Sequence, residues 1–346
     1  MIVKSIKLKI YLEQSVLINV KTSNKQKLKQ MLNKLFLLMM VVATATITSC
    51  TKDEEVIIPT ELNIYETAKT NSELSSLVAA IEKAGLTDEL SSASATLTVF
   101  APTNAAFSAF LSANGFASLN DVPNDVLTSV LLNHVVNGKN VSTGLTTGYV
   151  KTLATFGATT SNLSLYVSTA SGVTLNGISK VTTADVNASN GVIHIVDQVI
   201  GLPTVVTFAV SNPDFSSLVA ALTRPDLTTD YVTILSGAGP FTVFAPNNAA
   251  FSSLLTELGV ASLNDIDVAT LEKVLNYHVV SGNVLAEDLT NGQIVPTLNG
   301  DSFTIGLTGG ATITDINSRI SNIIATDVQS SNGVIHVIDK VILPTL

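Results

Sequence analysis

Four histidines are the side chains of this sequence best suited to acid–base or metal chemistry. They are His134, His194, His278 and His336, and the second pair repeats the first about 140 residues later. A metal ion needs three or four converging ligands, often with a local spacing such as HxH or HExxH. Within each pair the histidines stand about 60 residues apart, and neither spacing occurs. The sequence therefore predicts no metal site and no cofactor.

An aspartate precedes two of these histidines at the same distance. Asp185 lies nine positions before His194, and Asp327 lies nine positions before His336. Such a pair could orient an imidazole as a general base if a nucleophile stood beside it. The sequence contains no GxSxG elbow and no glycine-rich phosphate loop. We therefore expect a structural hydrogen bond near a turn, and we predict that the protein is not an enzyme.

The sequence neighbours of each histidine are apolar. His134 shares a predicted helical face with Leu127, and His278 occupies the matching position of its own repeat. His194 and His336 each alternate with apolar residues in a segment that is apolar on both faces, as in a strand covered on both sides. A neutral buried imidazole needs only one donor and one acceptor. The pattern favours partly buried core histidines over site residues.

Cys50 is the only cysteine, and its position indicates a different chemistry. Leu35 to Ile47 is a mostly apolar run of 13 residues behind Lys34. It is too short to span a bilayer but suits the apolar part of a signal peptide. The run ends in Ile47-Thr48-Ser49-Cys50, which resembles a bacterial lipobox; a lone buried cysteine is the alternative. We predict that residues 1–49 are a signal peptide region and that the Cys50 thiol carries a lipid anchor.

Two features near Cys50 bear on export. Met31 could itself begin a compact signal peptide, so the true start is either Met1 or Met31. Residues 50–61 form an acidic tether, and its opening Thr51-Lys52-Asp53-Glu54-Glu55 resembles the surface-export signal of Bacteroidota-type lipoproteins. A solvated acidic tether without an export role is the alternative. We predict a lipid anchor in the outer membrane with the chain exposed at the cell surface; the alternative is a periplasm-facing chain.

Beyond residue 61 the sequence contains a repeat of about 140 residues. Residues 98–107 read TVFAPTNAAF and return at 242–251 as TVFAPNNAAF, while NGVIH at 190–194 returns at 332–336. A unit of this length is a domain with its own core and not a solenoid repeat. We predict one domain over 62–202 and a second over 203–346, joined by a few residues around Pro203. We call the two domains copy one and copy two.

Each copy is predicted to begin with helices and to continue with strands. Leu74, Leu77 and Ile81 fall on one helical face, and Asn212-Pro213 is typical of a helix start. The sequence after residue 145, and again after 284, alternates Thr, Val, Ser and Gly, which predicts strands and tight turns. This order of elements indicates an α+β domain.

Asn104 and Asn248 each follow an Ala-Pro turn at the start of a predicted helix. An asparagine side chain at such a position can accept hydrogen bonds from the unpaired backbone N–H groups of the first turn. We therefore expect each asparagine to cap the helix that follows it.

The two repeated boxes resemble those of the fasciclin domain. That family carries a first box of the form TVFAPTNAAF and a second of the form NGVIHIVDQVI, and both stand here twice in the right order. Between the boxes the family has a Tyr-His pair, which copy two retains as Tyr277-His278 and copy one replaces with Asn133-His134. The resemblance implies tandem domains, each a wedge-shaped β-sandwich of about seven strands with several packed helices.

The resemblance also implies a function. The family's recurrent role is adhesion or matrix attachment at cell surfaces, and its Tyr-His region is linked with receptor binding. Tyr277 and His278 are therefore the candidates for partner contact in copy two, with Asn133 and His134 at the matching positions of copy one. The expected protein is a membrane-anchored, non-catalytic adhesion or interaction module.

Charge and composition narrow the partners. From Cys50 onward the chain has 10 basic and 26 acidic residues, a formal charge of −16 that would repel nucleic acid. Trp is absent, but six tyrosines could stack on sugars, so a glycan-binding accessory lipoprotein is one alternative. A periplasmic structural or assembly factor is another. The expected partner is a protein or a glycan at the cell surface.

Overall fold

The computed structural model describes residues 61–346 of the 346-residue chain. The predicted signal peptide, Met31, Cys50 and the acidic tether up to residue 60 lie outside the described residues. The predictions of a lipid anchor and of surface export therefore stay predictions.

Copy one contains five α-helices and seven strands among its described residues. Its helices are α1 (Ile64–Thr70), α2 (Ser75–Ala84), α3 (Thr87–Ser91), α4 (Asn104–Ala113) and α5 (Asn124–Leu132), with single 3-10 turns at Ser72–Leu74, Leu119–Asp121 and Ser142–Gly144. Its strands are β1 (Leu97–Pro102), β2 (Val135–Asn137), β3 (Gly148–Thr155), β4 (Asn162–Ser168), β5 (Thr174–Leu175), β6 (Ser179–Ala188) and β7 (Gly191–Val196).

Copy two repeats this order. Its helices are α6 (Val205–Ser211), α7 (Ser216–Leu222), α8 (Tyr231–Ser236), α9 (Asn248–Leu258) and α10 (Val268–Tyr277), with 3-10 turns at Pro213–Phe215, Leu263–Asp265 and Ala286–Asp288. Its strands are β8 (Phe241–Pro246), β9 (Val279–Ser281), β10 (Ile294–Pro296), β11 (Ser302–Gly306), β12 (Thr312–Thr314), β13 (Ile320–Ser330) and β14 (Gly333–Ile338). The α+β class is confirmed.

The first box departs from the predicted order of helices before strands. Its TVFAP segment forms β1 in copy one and β8 in copy two, in the middle of the helices. The segment alternates Val and Ala with Thr and Phe, so both faces of the strand are suited to burial. Every residue of β1 is buried, as this alternation predicts.

Both sheets are organised around a parallel pair. β1 runs parallel to β7 with Phe100 opposite His194, and β8 runs parallel to β14 with Phe244 opposite His336. All other strand pairs are antiparallel. In copy one the seven strands close into a barrel in the order β1 to β7, whereas in copy two they form a seven-stranded sheet with β10 and β9 at its ends. The predicted strand number is confirmed, and the sheet is barrel-like.

The parallel pair is covered on both faces, as its apolar pattern predicts. One face of β7 presents Ile193 and Ile195 to a core that the helices complete with Leu77, Phe107 and Leu127. The other face packs inside the barrel around a second cluster; its buried members are Phe100, Val136, Leu165, Val167, Leu175, Val196 and Ile200. The helices and the barrel interior therefore share the same central strands.

Gly191 allows the parallel pair to approach closely at its start. A Cβ atom added there would overlap the carbonyl oxygen of Leu97, and one added at Gly333 would overlap that of Phe241. Only glycine lacks this atom, so β7 and β14 each begin with the residue that the parallel pairing requires.

The two copies contact each other directly. The Tyr166 side chain of β4 belongs to the core cluster of copy two, which includes Phe208 and Phe215. The Lys151 Nζ of β3 donates to the carbonyl oxygen of Asp327 at 2.6 Å. Since these contacts add to the short connection at Pro203, the copies are joined by packing as well as by the chain.

A buried hydrogen bond and the connecting segment reinforce this junction. Gln329 N–H donates to Ser164 Oγ at 3.0 Å, and both residues are at most 1% exposed. Ser331 N–H donates to the Pro203 carbonyl oxygen at 2.7 Å, which fixes the connection to copy two. Without the Ser164 hydroxyl the buried Gln329 N–H would be left unpaired.

No single helix among residues 61–346 is long and apolar enough to cross a membrane. Within the same residues, one helix pair, Val205–Ser211 with Pro213–Leu222, meets the criteria of length and composition when its halves are taken together; the halves are bent by 99°.

Candidate functional site

Tyr277 and His278 end α10, but neither side chain reaches the surface. Tyr277 is 0% exposed and His278 is 4% exposed. The Tyr277 hydroxyl donates to the Ser302 carbonyl oxygen at 2.9 Å and accepts from Ile316 N–H at 3.3 Å. Burial raises the pKa of Tyr277 to about 12, so the phenol stays protonated. This tyrosine fastens the end of α10 to the sheet.

Asn133 and His134 are buried in the same way at the end of α5. Asn133 Nδ2 donates to the Gly201 carbonyl oxygen at 3.0 Å, and Asn133 Oδ1 accepts from Thr152 Oγ1 at 3.3 Å. An amide thus ties the helix end to the sheet where copy two uses a phenol. The buried positions of all four side chains argue against their direct contact with a partner.

The two helix-end histidines each join their helix to the segment behind the last strand. His134 Nδ1 lies 2.7 Å from the Val130 carbonyl oxygen, and His134 Nε2 accepts from Ile200 N–H at 2.8 Å. Because a carbonyl oxygen only accepts and a backbone N–H only donates, the proton lies on Nδ1. His278 repeats the arrangement with Val274 and Ile342, at 2.7 and 3.2 Å. The prediction of hydrogen-bonded core histidines is confirmed here.

His194 confirms the expected structural bond near an irregularity of the sheet. Its Nε2–H donates to the Asn140 carbonyl oxygen at 2.8 Å, and its Nδ1 accepts from the backbone N–H of Asp185 at 3.3 Å. Asp185 has a φ of 62° where β6 shifts register against β7, which turns its N–H toward the ring. The contact uses the backbone of Asp185, whose carboxylate oxygen lies 4.0 Å from Nδ1.

His336 keeps only half of this arrangement. Its Nε2–H donates to the Val284 carbonyl oxygen at 2.9 Å. Its Nδ1 is buried without a hydrogen-bond partner among the described residues. Both second-box histidines also stack on the phenylalanine opposite, at centroid distances of 5.5 Å for Phe100 and 5.3 Å for Phe244. The ring is therefore held by packing in both copies.

Ser142, Asp185 and His194 lie together but do not form a nucleophile–base arrangement. The Ser142 backbone N–H and Oγ–H both donate to the Asp185 carboxylate, at 2.7 and 2.5 Å. These two bonds lower the pKa of the Asp185 carboxyl, so it stays ionised. A catalytic hydroxyl must contact the imidazole, whereas this one is held by the acid. In copy two Ala286 replaces the serine, and only its N–H contacts Asp327, at 2.8 Å.

The prediction that Asn104 and Asn248 cap their own helices is wrong. The caps are one residue earlier: Thr103 accepts from Ala106 N–H and Asn247 accepts from Ala250 N–H. Asn104 Oδ1 instead accepts from Ser76 N–H at 2.8 Å, in the first turn of α2. The asparagine is already the first helical residue, so its side chain points away from its own first turn and reaches the neighbouring helix.

Asn248 makes the matching contact in copy two. Its Oδ1 accepts from Ser217 N–H at 2.9 Å, and its Nδ2 donates to the Pro213 carbonyl oxygen at 2.9 Å. Each asparagine therefore satisfies the start of one helix from the start of another. The first box is in this way tied to the helices that precede it.

No group of three or more His, Cys, Asp or Glu side chains that could hold a metal ion occurs within residues 61–346.

A cleft at the junction of the copies is lined by both polar and apolar side chains. Its volume is about 260 Å³, and its lining includes Tyr149, Tyr166, Asn212 and Asp214. Tyr149 is half-buried, 5.1 Å from the Tyr166 ring and 5.4 Å edge-on from Phe208. Its hydroxyl accepts from Asn212 Nδ2 at 3.2 Å. Among these four residues, Asp214 supplies the only formal charge.

The electrostatics of the cleft favour a ligand without negative charge. Burial raises the pKa of Tyr149 to about 12, so its phenol is neutral, while Asp214 is exposed and acidic. Sequence reasoning missed this site because it combines residues from both copies. One signal was available: copy two has no tyrosine after Tyr277, so Tyr149 and Tyr166 break the repeat.

Comparison with known proteins places these features in a family. The family model of the fasciclin domain matches residues 72–203 and again residues 213–344. Together the two matches cover more than half of the chain. The chain belongs to the fasciclin family and carries two of its domains in tandem. Helices α1 and α6 precede the matched ranges, although Ile64 and Val205 are buried in the two cores.

Two relatives illustrate the range of the family. Protein sll1483 of Synechocystis is 41% identical over 143 residues, which is 41% of this chain and 74% of that protein. The transforming growth factor-beta-induced protein ig-h3 of Sus scrofa is 32% identical over 251 residues, which is 71% of this chain and 34% of that protein. The chain therefore spans about a third of the pig protein's length.

Among solved structures, a domain pair from the insect cell adhesion molecule fasciclin I is similar over 81% of this chain and 95% of its own. The sequence identity is 20% and the TM-score is 0.44.

We expect the fold to lose stability as the pH falls from 7 to 5. Burial lowers the pKa of His134 and His278 to about 4, against an ordinary value of 6.5 in the unfolded chain. Between these values the unfolded chain binds more protons, so acidification favours unfolding. The expected loss between pH 7 and pH 5 is about 2 kcal/mol for each histidine, measured as urea-unfolding free energy.

A His278→Gln variant separates this effect from the titration of carboxylates. The variant is less stable at pH 7, but its stability changes less between pH 7 and pH 5 because one titrating group is gone. A pH dependence equal to that of the unaltered protein would contradict the role given to His278.

Replacing Asn104 with alanine should destabilise copy one by about 1 kcal/mol or more, because a first-turn N–H of α2 loses its acceptor. The shift in urea midpoint measures the loss. Asn104→Asp keeps the acceptor and should recover part of the loss. Asn114→Ala removes only a bond from an exposed amide to Phe110 and serves as the control. Equal midpoints for Asn104→Ala and the control would rule out the inter-helix contact.

Proposed function

We propose that this protein is a non-catalytic interaction module that a lipid on Cys50 holds on the outer face of a bacterial outer membrane. Family membership supports the interaction role, since the fasciclin family's recurrent role is adhesion at cell surfaces. The lipobox-like Ile47-Thr48-Ser49-Cys50 and the acidic residues behind it support the anchor and its orientation. A ligand would then be a protein or a glycan outside the cell.

The observation that carries the proposal is the junction between the two copies. A tyrosine of copy one is part of the core of copy two, and their shared cleft is lined by residues of both. The two domains thus present one composite surface. Such a surface suits recognition, and the Ser142–Asp185–His194 contacts lack the arrangement that a hydrolytic reaction needs.

Protease treatment of intact cells tests the orientation. If the lipid holds the chain outside, added protease should remove the protein from intact cells while a periplasmic control protein survives. A Cys50→Ser variant should leave the membrane fraction because it lacks the lipid attachment site. Full protection in intact cells would contradict surface exposure and favour a periplasmic structural or assembly role.

A glycan is the second candidate ligand, and the junction cleft favours it. Sugars are bound by an aromatic ring together with carboxylate and amide groups that accept and donate hydrogen bonds, and the cleft offers Tyr149, Asp214 and Asn212. The exposed Asp214 carboxylate can accept hydrogen bonds from sugar hydroxyls, while the Asp214 backbone N–H donates to Asn212 Oδ1.

An Asp214→Ala variant tests the cleft. We expect at least a tenfold loss of affinity for a polysaccharide that the unaltered protein binds on a glycan array, which corresponds to about 1.4 kcal/mol. Glu73→Ala is the matched control, because Glu73 holds the same position behind the cap residue Asn71 in copy one. Equal losses in both variants, or no binding of any arrayed glycan, would remove the glycan proposal.

A further inference from the structure

Copy two contains an apolar cavity that is distinct from the junction cleft, although Phe215 lines both. Its volume is about 190 Å³, and it lies between α6, α7, α8 and the central strands. Its deep wall is made of Phe215, Leu218, Leu235, Val243 and Ile335, each at most 7% exposed. An apolar cavity of about 150 Å³ is enough to stay dry and hold a benzene-sized molecule. This cavity is therefore large enough to hold an apolar group.

The repeat shows which residues leave the cavity open. In copy one Tyr65 of α1 donates to Glu82 of α2 at 2.6 Å, and Lys69 Nζ lies 5.2 Å from the centre of the Tyr65 ring. These three side chains form a polar seal between the first two helices. Ile64 and Val205 each donate to the second-box asparagine of their copy, which aligns α1 with α6 residue by residue.

All three members of this seal are replaced in copy two by side chains that cannot form it. Val206 stands at the position of Tyr65 and Val210 at that of Lys69. Arg224 donates to the Leu263 carbonyl oxygen as Lys83 donates to that of Leu119, so these two residues correspond. Thr223, one residue earlier, therefore stands at the position of Glu82. Val206, Val210 and Thr223 all line the cavity. The opening thus follows from the loss of a tyrosine, a lysine and a glutamate.

The rim of the cavity is apolar as well. Val210 is 67% exposed and Val232 is 40% exposed, and both line the opening. Asn332 Nδ2 donates to carbonyl oxygens at the end of α8, and Asn190 Nδ2 does the same at the end of α3. Aligning the two helices on these contacts places Val232 at the position of Thr87. Copy two therefore presents valine to solvent where copy one has a polar residue. Exposed apolar side chains around an apolar cavity are typical of a ligand site.

We propose that this cavity binds the end of an unbranched aliphatic chain, such as the acyl chain of a fatty acid or a lipid. No lining residue is charged, so the site offers nothing to an ionic ligand. The volume of about 190 Å³ exceeds that of a cavity that holds benzene, so the interior has room for several methylene groups. A longer chain continues over the valine rim, where it still covers apolar surface, and its polar end stays in water.

Fluorescence of a dansyl-labelled undecanoic acid tests the proposal in the full chain. The Cys50→Ser form is used so that a lipid on the protein cannot compete with the probe. The absence of Trp leaves the dansyl excitation free of a tryptophan background. We expect saturable binding and displacement by straight-chain alcohols, with affinity rising roughly fourfold for each added methylene until the cavity is full.

Three variants link binding to the cavity. V206Y/T223E restores the pair of copy one and should weaken probe binding at least tenfold. V232E places a charge at the exposed rim, where folding tolerates it, and should also weaken binding at least tenfold. I234E is its matched control, because Ile234 lies on the same helix, is 47% exposed and does not line the cavity. Its affinity should stay within twofold of the parent.

The outcomes distinguish a free amphiphile from a membrane lipid as the source of the aliphatic chain, and they can overturn the proposal. Binding of dispersed probe and alcohols identifies a free amphiphile as sufficient. Binding only to phosphatidylcholine vesicles, lost in V232E and kept in I234E, identifies a lipid within a membrane. Binding that is equal in the parent and V206Y/T223E, or equal in V232E and I234E, overturns the proposal, as does the failure to bind both probe and vesicles.

Discussion

The parallel pairing of the two boxes is the constraint on which each domain depends. It joins segments that lie about 90 residues apart in the chain, and its closeness at Gly191 and Gly333 leaves no room for a side chain. On one face the pair receives the helices, and on the other it fills the sheet interior. The helix-end histidines then fasten the segment that leaves the pair.

The same frame serves two different ends in the two copies. Copy one closes its helical layer with a tyrosine–glutamate hydrogen bond and uses the outer strands for the junction, through Tyr149 and Tyr166. Copy two lacks this hydrogen bond, and its core contains the Tyr166 side chain of copy one. Duplication supplied two frames with the same central pairing, and divergence of the side chains outside that pairing made the cleft and the cavity.

Much of the frame could be predicted because its signals are local or repeated. The strand of the second box, the buried histidines and the strand-rich second half follow from apolar period and repetition. The role of Asn104 could not be predicted, because the sequence pattern of a helix start is almost the same for a cap at Thr103 or at Asn104. The N–H group that Asn104 accepts from lies 28 residues away in the sequence. The buried Tyr277 hydroxyl is hydrogen-bonded to Ser302 and Ile316, which are distant in the sequence and approach it only in the folded sheet. The cleft needs both copies and leaves only unpaired tyrosines as its trace.

The place of Tyr166 has a consequence for how the protein unfolds. Its side chain completes the core of the neighbouring domain, and the Ser164–Gln329 hydrogen bond beside it is also buried. Unfolding of copy one would uncover apolar surface on copy two and leave the Gln329 N–H unpaired. Unfolding of one domain therefore removes contacts from the other, which couples the stabilities of the two domains. Copy two cut free at Pro203 would be a smaller protein with an incomplete interior.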